Sequence, residues 1–517
     1  MQGLFLTKLF LLILVFTSTL FAEHYFAQGK KQGLTKLHSF APLRKNRSAT
    51  TTINYYKTTT GKHLGVDNTL IVAFKNLSAQ LYIEKEFSLT LLEQLSSHMF
   101  LYKIKDKDNT LHTTNLLSAL PSVKFAQPNF IKQKKSRTRD PHFNASWHLD
   151  NNRGGVNVQE AWDTGAKGEG VIVAVYDEGI DITHEDLRAN ILGYGNFNNN
   201  DGRIDIVSPT TRISNKLHNA PAPAPKPTAD GREKYIWHGT SCAGLIAAVG
   251  DNYVGSVGVA PKAKLLAIRY ASDTKDDIKA FKAMSRKGAA IISNSWGTYH
   301  IEDAFNEILK EVSITGRNGK GVLIFFAAGN DGCNMDEFYY TKADGSNACL
   351  TPSQYQNYQI EDKGAIQDES ESPYVISIAA STQNNRIASY SNYGSSIDFT
   401  APGSQPASIV TTDATGRDGS AYGSYTFSFS GTSAAAPIAA GVAALILSSN
   451  TELTKEEVLD ILKETAQHIG NYPYKNGRND HWGYGRIDAG KAVKLAKTYG
   501  KNIKIENFAH KIYQAMH

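Results

Sequence analysis

Four polar residues, each close to a glycine, have types and spacing that could do chemistry together. Ser433 lies in Gly431-Thr-Ser-Ala-Ala-Ala-Pro437 and leads into the small-residue run 438–447. A hydroxyl presented at a helix start faces unpaired backbone N–H groups and the positive end of the macrodipole, and both favour developing negative charge. An ordinary capped core helix would look the same, because Gly-Thr-Ser is common at helix starts. Asp177 ends an apolar run in Val175-Tyr-Asp-Glu-Gly-Ile-Asp181, His238 opens His238-Gly-Thr-Ser-Cys-Ala-Gly244, and Asn330 closes Phe325-Phe-Ala-Ala-Gly-Asn330. Taken singly, these read as a strand-end turn acid, a helix-start residue and a turn cap. Taken together they give an acid, an imidazole, an amide and a hydroxyl in chain order, each at a strand end or helix start beside glycine, types that could serve nucleophilic catalysis.

The elements that must position these groups are legible as short β-branched runs at 171–176, 264–269, 290–293, 322–327 and 375–379. Helical stretches at 276–286, 304–312 and 434–447 separate several of them. The alternation predicts an α/β fold with a parallel central sheet and helices on both faces. Two insertions interrupt it: an Asn/Asp/Gly-rich loop at 196–205 and a polyproline-like loop at 219–227.

Before this region, residues 1–22 read as a secretory signal, with Lys8 ahead of an apolar run at 9–16 and Ala22 at its end. Residues 23–139 read as a small α+β domain with strands at 70–74, 99–104 and 123–125 and helices at 89–95 and 115–120. It ends in the basic run 132–139, which suits a solvated linker or a cleavable junction. Residues 140–500 form the main domain, and 501–517 a short tail with helical character. Across 517 residues the net charge of +6 is small and gives no argument for nucleic acid. Three cysteines are too few for a disulfide framework. No internal run is long and apolar enough to read as a membrane span.

The four motifs resemble those of subtilisin-type serine endopeptidases, and the resemblance covers nearly all of residues 23–495. It implies Ser433 as nucleophile, His238 as general base, Asp177 as the acid that orients the imidazole, and Asn330 with the Ser433 N–H as oxyanion hole. Ser295-Trp-Gly297 resembles the family's substrate-binding strand, which takes a peptide as an added β-strand, so Ser295, Trp296 and Gly297 belong to the groove. The segment 481–489 resembles the family's closing segment, with a structural role. Residues 23–139 are then a propeptide that assists folding and inhibits the groove from within the same chain.

Detail points to the kexin–furin side of the family. Asp140-Pro-His-Phe-Asn-Ala-Ser-Trp-His-Leu149 resembles a mature start there, as Asp177-Glu-Gly-Ile resembles its first motif. Glu178 and Asp336 match acids that recognise basic residues in that branch, which implies a preference for Arg or Lys before the cleaved bond. His300, by contrast, stands where the branch has an acid, and the residues after the catalytic domain are too few to be expected to hold the β-rich domain that follows it in that branch. Matching positions imply a structural Ca²⁺ site from Asp140, Asp186, Val249, Asn252, Val254 and Ser256. Cys333 and Cys349 are expected to pair, leaving Cys242 as a buried free thiol. The implied protein is an exported monomer, extracellular or periplasmic, acting on protein or peptide substrates, with no stable membrane association once the signal is cut. Two rivals stand beside it. An inactive scaffold of the same shape is disfavoured by the intact Asp177, His238, Asn330 and Ser433. An esterase is disfavoured by the chain order of the triad and the absence of a Gly-x-Ser-x-Gly elbow at Ser433.

Overall fold

The computed structural model describes residues 23–500 apart from 28–29, 38–52, 59–62, 107–108, 133–138, 200–201, 209–212, 217–218, 223–224, 228–232, 236, 299, 337, 342–346, 351–367, 405, 417–418 and 420–421. Residues 1–22, expected to be a secretory signal, most of the basic run and the tail 501–517 lie outside the described residues. The chain separates into two compact units, Met1–Ser136 and Arg137–His517.

In the first unit, strands Thr69–Phe74, Thr90–Ser96, Met99–Lys103 and Val123–Pro128 form one antiparallel sheet. Helices Gln80–Glu86 and Thr110–Ser118 connect its outer pairs, which gives the β-α-β-β-α-β order of a ferredoxin-like unit. Leu70, Val72, Phe74, Phe100 and Tyr102 fill its core. The helix expected at 89–95 is instead the strand Thr90–Ser96. Leu91, Leu92 and Leu95 have helical spacing, but a two-residue turn at Ser97 and His98 folds the segment back on Met99–Lys103. The His98 carbonyl accepts from Phe74 N–H at 2.8 Å, so the turn is pinned to the sheet and pairing overrides local preference. A second antiparallel sheet joins Glu23–Ala27, Lys30–Leu37, Asn54–Thr58, His63–Val66 and Ile131–Lys132.

The second unit is built on one eight-stranded sheet. Its strands are β1 (Ile172–Asp177), β2 (Ile191–Asn196), β3 (Asp205–Ile206), β4 (Lys264–Arg269), β5 (Ile291–Asn294), β6 (Leu323–Ala327), β7 (Ile376–Ser381) and β8 (Ile397–Pro402). Their spatial order is β3-β2-β4-β1-β5-β6-β7-β8, parallel except at the β3 edge. Because side chains alternate along a strand, each run feeds two cores at once. Val173 and Val175 of β1, with Leu323 and Phe325 of β6, enter the core on one face. Ala174 and Tyr176, with Ile324 and Phe326, enter the core on the other. Helix α1 (His238–Ala247) and helix α4 (Thr432–Ser449) pack in the first core, whereas α2 (Thr274–Arg286) and α3 (Asp303–Thr315) pack in the second. Among the described residues α4 alone is long and apolar enough to cross a bilayer, contrary to the sequence expectation, and it is buried here as a core helix. A hairpin of β9 (Ile409–Gly416) and β10 (Gly423–Phe429) precedes α4.

The two-sided core makes one side chain a direct test of this packing. Phe325 is fully buried in β6. Phe325→Ala is expected to cost about 3–5 kcal/mol, read as a lower denaturant midpoint at unchanged slope. A shift within error of zero would contradict the burial.

Candidate active site

Asp177 ends β1 at the carboxyl edge of the sheet, where open α/β sheets place their ligands. It is buried, and its Oδ1 accepts from His238 Nδ1 at 2.8 Å and from the Glu178 N–H at 2.7 Å. Its Oδ2 is buried with no hydrogen-bond partner among the described residues, so compensation of the carboxylate falls mainly on His238. Gly239 permits this approach, because a Cβ there would lie 2.7 Å from Asp177 Cβ. Burial opposes a charged imidazole, but the Asp177 carboxylate prevails and holds His238 well above the ordinary histidine range.

Ser433 sits in the first turn of α4, just after Gly431, whose φ of +100° only glycine adopts without strain. Its Oγ lies 3.5 Å from the Ser295 carbonyl, and Ser295 Oγ in turn donates to the Ser433 carbonyl at 3.1 Å. The Cys242 thiol donates to that same carbonyl at 3.5 Å and lies 3.7 Å from His238 Nδ1. The carbonyl is available because Pro437, four residues on, has no N–H to offer it. Cys242 is free and buried, and burial raises its thiol above the usual range, so it stays protonated.

The orientation of Asn330 follows from its neighbours. Its Oδ1 accepts from the Thr432 N–H at 2.8 Å and the Thr432 hydroxyl at 3.0 Å, which leaves the NH₂ as the other end. A Cβ at Gly431 would lie 3.2 Å from Asn330 Oδ1, 3.4 Å from Asn330 Nδ2 and 3.5 Å from Ser433 N. The Asn330 amide and the Ser433 N–H are therefore neighbours at Gly431, and both offer an N–H there. Such an arrangement can hold an oxyanion.

The Ser295-Trp-Gly297 segment divides its labour. Trp296 donates to the Tyr176 carbonyl at 2.9 Å and packs on Tyr176, Tyr270 and Phe326, so its ring anchors the segment. Gly297 is left exposed beside it. Two acids not singled out in the sequence come to this segment from residues 368 and 369. An Asp368 oxygen would lie within bonding contact of a Cβ at Gly297. Glu369 accepts from the Thr298 N–H at 2.9 Å and the Thr298 hydroxyl at 2.6 Å, and burial pushes its carboxyl up to about 7. Of the acids expected from the sequence, Glu178 accepts from the Tyr270 hydroxyl at 2.9 Å. Asp336 is exposed and accepts from the Ser395 N–H at 2.8 Å and from its hydroxyl. His300 is exposed, and its carbonyl accepts from the Thr298 hydroxyl at 2.7 Å.

The residues expected to bind Ca²⁺ come together beyond α1. Asp140 accepts from the N–H groups of Asp251 and Asn252 at 2.9 and 3.1 Å. Asp186 accepts from Asn252 Nδ2 at 2.8 Å and the Ser256 N–H at 3.0 Å, while its own carbonyl accepts from the Val249 N–H. Both acids are buried, and burial pushes Asp186 up to about 7. Ser256 Oγ is buried without a partner, and among the described residues no backbone hydrogen bond outside regular elements ends on the carbonyls of Val249, Val254 or Ser256. Buried carboxylates beside spare carbonyl oxygens fit a hard cation. Cys333 is disulfide-bonded, and the side chain of Cys349 lies outside the described residues.

The parallel α/β unit thus places a buried Asp–His pair at a strand end and a serine at the start of a core helix. A profile of the Subtilase family matches residues 168–485, and the chain belongs to that family. A "Calcium-dependent protease" of Trichormus variabilis is 32% identical over 457 residues, 79% of this chain and 60% of that protein. "Furin-1" of Xenopus laevis is 30% identical over 413 residues, 74% of this chain and 46% of that protein. The solved structure of a protease from Pseudoalteromonas arctica superposes with a TM-score of 0.52 at 29% identity, over 70% of this chain and all of that one. The chain spans roughly half to three fifths of the length of the curated relatives it matches.

The Asp177–His238 pair makes two measurable demands. Asp177→Asn is expected to lower kcat about 10⁴-fold, as the corresponding change does in a serine-protease triad. Because His238 must be neutral to take a proton and Asp177 raises its pKa, kcat/KM should climb with pH through a midpoint above the ordinary 6.5. A plateau already complete at about pH 6 would contradict the pairing.

Proposed function

We propose that the chain is a serine endopeptidase that hydrolyses peptide bonds through an acyl-enzyme at Ser433. The observation that carries this reading is the buried Asp177–His238 bond, linked to Ser433 by the Cys242 thiol, which reaches both His238 Nδ1 and the Ser433 carbonyl. In the proposed cycle His238 takes the Ser433 proton as Oγ attacks the peptide carbonyl, then gives it to the leaving amine. Asp177 holds the imidazole and stabilises the imidazolium. Asn330 Nδ2 and the Ser433 N–H stabilise the tetrahedral oxyanion, a contribution worth about 10²–10³-fold in kcat per donor. The exposed backbone at Gly297 is positioned to pair with an extended peptide.

The first unit we read as the propeptide, with self-processing between Phe130 and Asp140. The change of unit near Ser136 and the basic run support this. Export rests on the segment 1–22, and Cys349 is the inferred partner of Cys333. A structural Ca²⁺ held by Asp140, Asp186, Asn252 and the carbonyls of Val249, Val254 and Ser256 would neutralise two buried carboxylates. The donor set and the name of the Trichormus relative support it.

A preference for Arg or Lys before the cleaved bond is supported by Asp368 at Gly297 and Glu369 at Thr298, with Glu178 beside the catalytic acid. A cationic side chain leaving water needs a carboxylate partner. Asp336, bound to Ser395 at the surface, carries less of this argument than the sequence assigned to it.

Two experiments test these readings. A serine-directed phosphonate should label Ser433 alone, and Ser433→Ala should lose both the label and the new N-terminus near Asp140. Labelling that persists in the variant would sink the assignment. On matched peptides ending in Arg or Leu, Asp368→Asn should cut the Arg preference about tenfold, equivalent to about 1.4 kcal/mol. Equal rates on both peptides in the unaltered protein would mean broad specificity.

A further inference from the structure

The strand that delivers the nucleophile also touches the cation cage and the catalytic base. Alternate residues of β10 point to one side, so Tyr425, Phe427 and Phe429 form an aromatic row. At its far end Tyr425 lies over the cage loop, and a Cβ at Gly255 would overlap its ring. The Tyr425 hydroxyl donates to Glu185 Oε1 at 3.2 Å and also reaches the Asp186 carboxylate. His184 adds a second tie. Its Nδ1 accepts from the Asp186 N–H at 3.0 Å, which makes Nε2 the protonated nitrogen, and Nε2 donates to the Ser424 carbonyl at 2.7 Å. His142, two residues after Asp140, packs edge-on against Tyr425 and Phe427 at 5.1 and 4.9 Å between ring centres.

At the near end, the Phe429 ring lies 5.3 Å from the His238 ring. The chain then passes through Gly431 to Ser433. The partner strand β9 is fastened to α1 itself: Thr412 Oγ1 donates to the Thr240 carbonyl at 2.7 Å, Thr411 Oγ1 to Ser241 at 2.8 Å, and Ser241 Oγ back to Thr412 at 2.8 Å. The hairpin is thus held between the cage and the helix that carries the base.

We propose that β10 couples the cation cage to the catalytic centre, with Tyr425 and Phe429 as positioning residues that relay cage occupancy to the His238 imidazole. The inference rests on the Ca²⁺ reading above. A cation fixes the carboxylate that Tyr425 touches, the strand transmits that position to Phe429, and Phe429 limits the tilt of the imidazole. A Phe with no polar atom touches the triad here only through packing, so its effect is on orientation.

Coupling between two sites is reciprocal, which supplies a readout other than turnover. Calcium affinity of the full chain would be measured by calorimetry with and without a reversible peptide aldehyde that adds to Ser433. In the unaltered protein the aldehyde should tighten calcium binding about tenfold. In Phe429→Leu and Tyr425→Leu calcium should still bind while the aldehyde no longer changes its affinity, and Phe429→Tyr should restore the effect. Melting temperatures check that each variant is folded, and the unaltered protein tests the claim by itself. Calcium affinity indifferent to the aldehyde, or coupling intact in Phe429→Leu, would overturn the relay. Failure to bind calcium at all would instead remove the cage, and the relay with it.

Discussion

The buried contact between Asp177 and His238 is the constraint on which the rest of this molecule is arranged. A carboxylate taken out of water is costly unless paired, and one Asp177 oxygen has no partner among the described residues. The imidazole and a single backbone N–H carry the compensation. To make that contact, the end of a central strand and the first residue of a core helix must meet. The parallel sheet fixes the first. The absence of a Cβ at Gly239 permits the second.

Ser433 is held by a different device. Pro437 leaves the Ser433 carbonyl without its helical donor, and the side chains of Ser295 and Cys242 take that role. One carbonyl therefore ties α4 to the Ser295-Trp-Gly297 segment and to α1. The Cys242 thiol beside His238 is accounted for by this bond and by its raised pKa, with no chemistry of its own required. Tyr425, at one end of β10, packs on the Gly255 loop, and Phe429, at the other, packs on His238.

Much of this was legible in the sequence for physical reasons. Strands buried on both faces read as unbroken apolar runs, so β1, β4, β5, β6 and β7 stood out, and polar residues near glycine at a strand end (Asp177, Asn330) or a helix start (His238, Ser433) marked the candidate site. Where two signals competed, the sequence misled. Leu91, Leu92 and Leu95 satisfy helical spacing, and only the turn at Ser97 and His98 makes them a strand. Asp368 and Glu369 were not legible, because Glu369 meets Thr298 across 71 residues of chain and only the folded sheet brings them together. The row Tyr425, Phe427 and Phe429 did carry a signal, an aromatic at every second position. Its meaning depended on knowing what each end touches.

The account stands or falls on the imidazole of His238 being held by Asp177 through Nδ1 and charged more readily than a free histidine. Proton NMR of the active protein tests this directly. A single strongly deshielded N–H resonance is expected, assigned to His238 by its loss in a His238 variant, and titrating with a midpoint above 6.5. A His238 proton with no such deshielding, or one that titrates at or below the ordinary value, would contradict it.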